Sequence, residues 1–146
     1  MNAWRYALVP VALLLAAGFV FHAGATDQGD KKVDHRVFEL RIYYANPGKM
    51  DALHARFKNH TNKLLEKHGM TLIGFWTDEK EPQRKLIYLV AHKSKEAAGA
   101  SFKAFGADPD WVAARKASEE KTGGSLTVQG GVKSVFLAPT DYSPIK

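Results

Sequence analysis

The residues most able to do chemistry stand close together in the sequence. Glu39, Arg41 and Tyr43 follow one another at every second position. On an extended strand that spacing sends all three side chains to one face, setting a carboxylate, a guanidinium and a phenol side by side. Such a set can orient a carboxylate or enolic ligand, because the fork of Arg41 and the hydroxyl of Tyr43 donate where the ligand accepts. It can equally be a structural ion pair between Glu39 and Arg41, or across to a partner subunit. Sequence leaves the two readings level.

His60 is the candidate acid or base. It lies three residues after Phe57 and four before Leu64 on an apolar stripe, so its ring is expected to point toward the sheet. A histidine at that position serves either in proton transfer or as a hydrogen-bonded core residue. Trp76 and Tyr88 are expected on neighbouring strands, as an aromatic wall for a planar ligand or as plain core. His68 is expected to cap the helix that His60 belongs to. The histidines form no i, i+4 pair and no His-Glu-x-x-His arrangement, so no metal site is expected. Gly123-Gly124 and Gly130-Gly131 read as chain reversals. Neither a phosphate-binding loop nor G-x-G-x-x-G is present, and no nucleotide cofactor is expected.

The elements that must hold these residues follow from periodicity. Val37 to Tyr44 alternates as a half-buried strand, with Phe38, Leu40, Ile42 and Tyr44 on the face opposite Glu39, Arg41 and Tyr43. After the Asn46-Pro47-Gly48 turn, Met50, Leu53, Phe57, His60, Leu64 and His68 recur at helical spacing until Gly69. Met70 to Thr77 is a second strand and Lys85 to His92 a third, apolar enough to be central. Ser94 caps a helix to about Phe105, with Ala97, Ala98, Phe102 and Phe105 inward. Asp108-Pro109-Asp110 starts another, anchored by Trp111 and Val112 and ended by Gly123. Val132 to Leu137 is the last strand. The order is α+β, a ferredoxin-like βαββαβ domain: an antiparallel sheet with helices on one face. Its other face is too apolar to stay bare, which predicts a homodimer.

Composition sets the outer limits. The 146 residues are 45% hydrophobic and 25% charged, enough for one packed core and too apolar for a disordered tail. With no cysteine there is no disulfide, thiolate metal site or cysteine nucleophile. The net charge of +6 is spread among acids without a basic run, so nucleic acid is not expected as a partner. Arg5, the apolar run from Tyr6 to Phe21 and Ala23-Gly24-Ala25 match a secretory signal peptide over residues 1–25. The protein is therefore expected to be exported, periplasmic or extracellular, with a flexible leader at 26–36 and the domain at 37–146. A membrane enters only if that segment stays uncleaved as an anchor.

Taken in order, several segments resemble the NIPSNAP family: Phe38-Glu39-Leu40-Arg41-Ile42-Tyr43 with Pro47-Gly48-Lys49, then Phe57, His60, Thr61 and His68-Gly69, then Gly74-Phe75-Trp76. Phe105 with Asp108-Pro109-Asp110-Trp111, and the Pro139-to-Pro144 segment, continue the likeness. The resemblance implies a dimeric α+β barrel, akin to the antibiotic-biosynthesis monooxygenase and haem-degrading groups, without a settled reaction. The haem-degrading groups use an asparagine on the first strand. Here that strand offers Glu39, Arg41 and Tyr43 instead, which speaks against haem breakdown. Three functions follow as expectations. The first is binding of a small apolar or aromatic molecule, with Glu39, Arg41, Tyr43, Trp76 and Tyr88 around it. The second is a cofactor-independent oxygenase or other small-molecule enzyme using His60 as base. The third is a purely structural or partner-binding dimer.

Overall fold

The computed structural model describes residues 36–146. The expected signal segment and most of the leader lie outside the described residues. Four strands and a set of helices follow in order: β1 (Val37–Ala45), α1 (Met50–Arg56), a π-helical turn (Phe57–Thr61), α2 (Asn62–Lys67), β2 (Thr71–Thr77), β3 (Lys85–His92), α3 (Lys95–Ala107), α4 (Pro109–Thr122) and β4 (Thr127–Leu137). The sheet is antiparallel in the order β2-β3-β1-β4. It is the ferredoxin-like α+β arrangement, with β1 and β3 central. Among the described residues no helix is long and apolar enough to cross a membrane.

The helices form where their signals stand. Ser94 accepts the Ala97 N–H at 3.1 Å to start α3, and Asp108 accepts the Asp110 N–H at 2.9 Å with Pro109 in the first turn of α4. Gly123 closes α4 in the left-handed conformation, at φ 72°. Between sheet and helices lies the core, with Met50, Leu53, Phe57, Leu65, Leu86, Tyr88, Val90 and Leu126 all nearly inaccessible. Trp111 packs on Phe105 at 4.5 Å between ring centroids, as an anchor should. Val112 does not share that role, being 45% exposed.

Two strands depart from the simple pattern. In β2 the register with β3 shifts between Leu72 and Gly74, leaving Ile73 as an extra residue. The slip reverses the side-chain phase: Leu72 and Phe75 turn toward the helices, while Gly74 and Trp76 turn away. Strand β4 begins five residues earlier than its apolar run. Gly130-Gly131 is thus no chain reversal but lies within the strand, where pairing with β1 shifts between Tyr43 and Ala45. Gly130 sits at φ 65°, and a Cβ on Gly131 would fall 2.9 Å from the Val128 carbonyl oxygen and 3.2 Å from that of Tyr44. A bulge this tight requires glycine at both positions.

The sheet face away from the helices carries Leu40, Ile42, Tyr44, Trp76, Ile87, Leu89 and Val135. Trp76 and Val135 are half exposed. At one end the C-terminal segment folds over this face, so that Phe38, Leu89 and Leu137 meet Pro139 and Ile145 around a small hollow.

Candidate functional site

Glu39, Arg41 and Tyr43 do share a face, but it is the face covered by the helices rather than the open one. The ring of Tyr43 lies 5.4 Å from Phe57 of the π-turn, and the Arg41 guanidinium stacks 4.2 Å above Phe102 of α3. The helices cover this face through its aromatic members, Tyr43 and Tyr88, whose rings both pack on Phe57. Trp76 and Tyr88, expected to stand together, lie on opposite faces. The bulge at Ile73 turns Trp76 away and puts Phe75 opposite Tyr88.

The charged group is closed on itself. Arg41 Nη1 donates to Glu39 Oε1 at 2.5 Å, and the other carboxylate oxygen lies 3.1 Å from His92 Nε2. Glu39 and His92 are each 2% exposed. Burial works to raise the Glu39 pKa, yet the His92 hydrogen bond and the Arg41 charge outweigh it and hold the carboxyl below its ordinary value. Burial likewise opposes the charge on Arg41, but the Tyr88 and Tyr43 oxygens and Glu39 prevail and hold the guanidinium above its ordinary value. The Tyr88 hydroxyl donates to that of Tyr43 at 3.2 Å, and burial pushes the Tyr88 phenol well up. His92 was not singled out in sequence, because a lone histidine at the end of an apolar strand carries no spacing signal.

His60 points away from the sheet and is exposed. The cause is the π-turn at Phe57–Thr61: its wider coil carries the buried stripe from Phe57 to Thr61 and leaves His60 outside. The Thr61 hydroxyl closes the turn by donating to the Arg56 carbonyl, at 3.3 Å. His60 lines an open groove of about 560 Å³ against α4, with Lys63, Lys67 and Ala117. Apart from the His60 ring, that groove is walled by alanine methyls, Leu64 and polar side chains, with no phenyl, phenol or indole surface. His68 does end α2 but does not cap it with its ring, which turns to Asp108, Nε2 to Oδ2 at 2.7 Å. Together with Lys67 it holds the Asp108 carboxyl well below the usual range.

A different cleft has the walls of a ligand site. It lies at the outer edge of β2, holds about 420 Å³, and is lined by His54, Phe57, Lys58, Asn62, Leu86 and the strand Phe75-Trp76-Thr77. Its aromatic wall is backed from inside: Phe75 stacks on Tyr88 at 5.5 Å and 19°, and meets Phe57 edge-on at 6.0 Å. Thus Glu39 holds Arg41, Arg41 stands opposite Tyr88 across the strand pair, and Tyr88 backs the wall of the cleft. Of the residues expected around a ligand, Trp76 touches this cleft, Tyr88 and Tyr43 lie directly behind its Phe57, and Glu39 and Arg41 do not line it. His54, Lys58 and Asn62 were missed, although their i, i+4, i+8 spacing beside Phe57 was the available signal. Among the described residues no cluster of acids and histidines is assembled that could hold a metal.

A four-stranded antiparallel sheet of this order with its helices on one face defines the ferredoxin-like α+β class. The NIPSNAP family profile matches residues 38–144, and the chain belongs to the NIPSNAP family. Among solved structures it is similar to an uncharacterized NIPSNAP-like domain protein from Burkholderia xenovorans, at 20% identity over 76% of this chain and 90% of that one, with a TM-score of 0.64. A NIPSNAP family protein from Agrobacterium tumefaciens str. C58 is similar at 22% identity over 77% and 100%, also with a TM-score of 0.64. The same fold extends to a putative antibiotic biosynthesis monooxygenase from Nitrosomonas europaea, at 11% identity over 75% and 95%, with a TM-score of 0.54. No functionally curated protein matches the chain.

Proposed function

We propose that the protein is an exported homodimer that binds a small, flat, largely apolar molecule in the cleft at the edge of β2. The observation that carries this reading is the wall of Phe57 and Phe75, set edge-on to each other and backed by the buried Tyr88, beside open space of ligand size. A planar ring laid against Phe75 extends a stack whose geometry is already fixed from behind, so little ordering cost falls on binding. The network of Glu39, Arg41 and His92 stands at one remove, with Arg41 opposite Tyr88 across the strand pair. Export is supported by the charge-poor run from Tyr6 to Phe21 and the Ala-Gly-Ala site after it. Dimerisation is supported by the apolar open face. The oxygenase reading rests on fold likeness alone, and His60, its expected base, stands outside the cleft.

The test uses 2-naphthol as a neutral flat probe, titrated by calorimetry into the full-length protein and into Phe75→Leu. Saturable binding at one site per chain, at least fivefold weaker in the variant, is expected. No saturable binding to the wild type, or equal binding to both, overturns the reading.

A further inference from the structure

The buried cation of α1 is poorly matched by the protein around it. Arg56 is 6% exposed, yet only its Nη1 finds an acceptor, the Ser118 hydroxyl, at a long 3.4 Å. Its carboxylate neighbour, Glu119, is itself about a third exposed and stands 3.7 Å away, beyond hydrogen-bond reach. Among the described residues Nη2 makes no hydrogen bond, and unlike Nε it is not sealed from solvent. Burial outweighs the pull of Glu119 and holds the guanidinium below its ordinary pKa. A buried charge so thinly paired is costly and favours an anion beside it.

Room for that anion lies in front of it. Arg56, Asn59 and Lys121 line a hollow of about 230 Å³ between α1 and α4, and among the described residues Lys121 has no acidic partner. The hollow runs on into the groove beside His60, since Asn59, His60, Ala114 and Ala117 border both. From there the floor is aliphatic, made by Ala113, Ala114, Ala117 and Leu64. At the far end Lys67 is already answered by Asp108 and Asp110, and Lys63 is an exposed side chain on the rim, so the place for an anion is the Arg56 end. Eight residues separate Arg56 from Leu64, roughly 12 Å of helix, which is the reach of an extended acid of about eight to ten carbons.

We infer that this channel binds a medium-chain aliphatic carboxylate, with its head group on Arg56 Nη2 and Lys121 and its chain over Ala117, Ala114 and Leu64. An inorganic anion leaves the aliphatic floor in water, and a neutral alcohol leaves Arg56 unanswered. The site is separate from the β2-edge cleft, with which it shares no lining residue.

The test titrates octanoate, butyrate and inorganic phosphate into the ¹⁵N-labelled full-length protein and follows backbone amide shifts. Octanoate is expected to move the amides of Asn59, Ala117 and Lys121 saturably, and to bind at least tenfold more tightly than butyrate or phosphate. Arg56→Met keeps an unbranched chain against Trp111 without the charge, and is expected to weaken octanoate at least tenfold. Should that variant not fold, Lys121→Glu and Ala117→Glu, both at exposed positions, carry the test, each with an expected loss of at least fivefold. Lys116→Glu, on the same helix but outside the channel, is expected to change binding less than twofold and controls for long-range electrostatics. Phe75→Leu is expected to leave octanoate unaffected, so this site and the proposed function stand or fall separately. No saturable shift at the three amides, equal affinity for butyrate or phosphate, or equal losses in Lys116→Glu and Lys121→Glu overturns the inference. A loss of octanoate binding in Phe75→Leu overturns it as well, by placing the acid in the other cleft.

Discussion

Glu39 lies between two nitrogen groups of unlike kind: Arg41 on its own strand holds one carboxylate oxygen at 2.5 Å, and His92 on the neighbouring strand stands 3.1 Å from the other. The three form one buried unit beneath α3, and removing the central charge leaves Arg41 buried without its counterion.

Glu39→Gln is therefore expected to destabilise the fold by about 3 kcal/mol at neutral pH. Because the folded-state pKa of Glu39 is lowered, its contribution is present above the ordinary carboxylate range and fades as pH falls through the depressed value. The melting-temperature gap between wild type and Glu39→Gln should be widest near pH 7 and narrow steadily on acidification. A gap that is constant with pH would show that the carboxylate charge is not what matters.

How far this could be read from sequence depends on which residues are asked. Strand β3, the caps Ser94 and Asp108 and the end of α4 at Gly123 are local signals, set by residues within a turn of one another, and they were legible. The grouping of Glu39, Arg41 and Tyr43 was legible too, since a strand's two-residue period needs no tertiary information. Which face they take was not, because both faces of β1 carry apolar side chains and the choice is made by the helices. Ile73 and the π-turn each insert one residue into a regular period. Each moves a single aromatic or histidine to the opposite side without altering composition, which is why Trp76 and His60 lie elsewhere than their spacing implies.

Trp111 joins three elements, packing on Phe105 of α3 at 4.5 Å and under the buried guanidinium of Arg56 at 5.1 Å. Arg56 in turn reaches the Ser118 hydroxyl and the Glu119 carboxylate on α4. Trp111→Ala removes the ring that shields this cation and opens a void between helices, at an expected cost of about 3 kcal/mol. The check is denaturant unfolding of the two proteins. Binding of 2-naphthol at a denaturant concentration where both remain folded should be unchanged, since the cleft lies on the other side of α1.

Two glycines give a contrast with opposite signs. At Gly131 an added Cβ would meet backbone oxygens that cannot move aside, so Gly131→Ala is expected to destabilise by roughly 1–3 kcal/mol. Gly99 lies within α3 with nothing within 4 Å of an added Cβ. Gly99→Ala is expected to stabilise by up to about 1 kcal/mol through the gain in helix propensity. Thermal melts of the pair are decisive, since a loss at Gly99 or tolerance at Gly131 contradicts the packing described.

The open sheet face supplies the last prediction. Ile42 on β1 and Ile87 on β3 pair directly across the two central strands, with Val135 and Trp76 on the strands outside them. Contiguous apolar surface at the middle of a sheet is costly to leave in water, and a second copy offers the same patch related by a two-fold axis. If that patch is the dimer contact, a charge at its centre meets its own image across the axis. Ile42→Asp should then give a monomer by light scattering at concentrations where the wild type is a dimer. Val112→Asp, on the exposed side of α4, should leave the dimer intact. A wild-type monomer, or a dimer that survives Ile42→Asp, would place the contact elsewhere on the molecule. The β2-edge cleft borders the same sheet, with Trp76 projecting from its rim onto the open face. Loss of the dimer is therefore expected to weaken 2-naphthol binding as well, whereas Val112→Asp is expected to leave it unchanged.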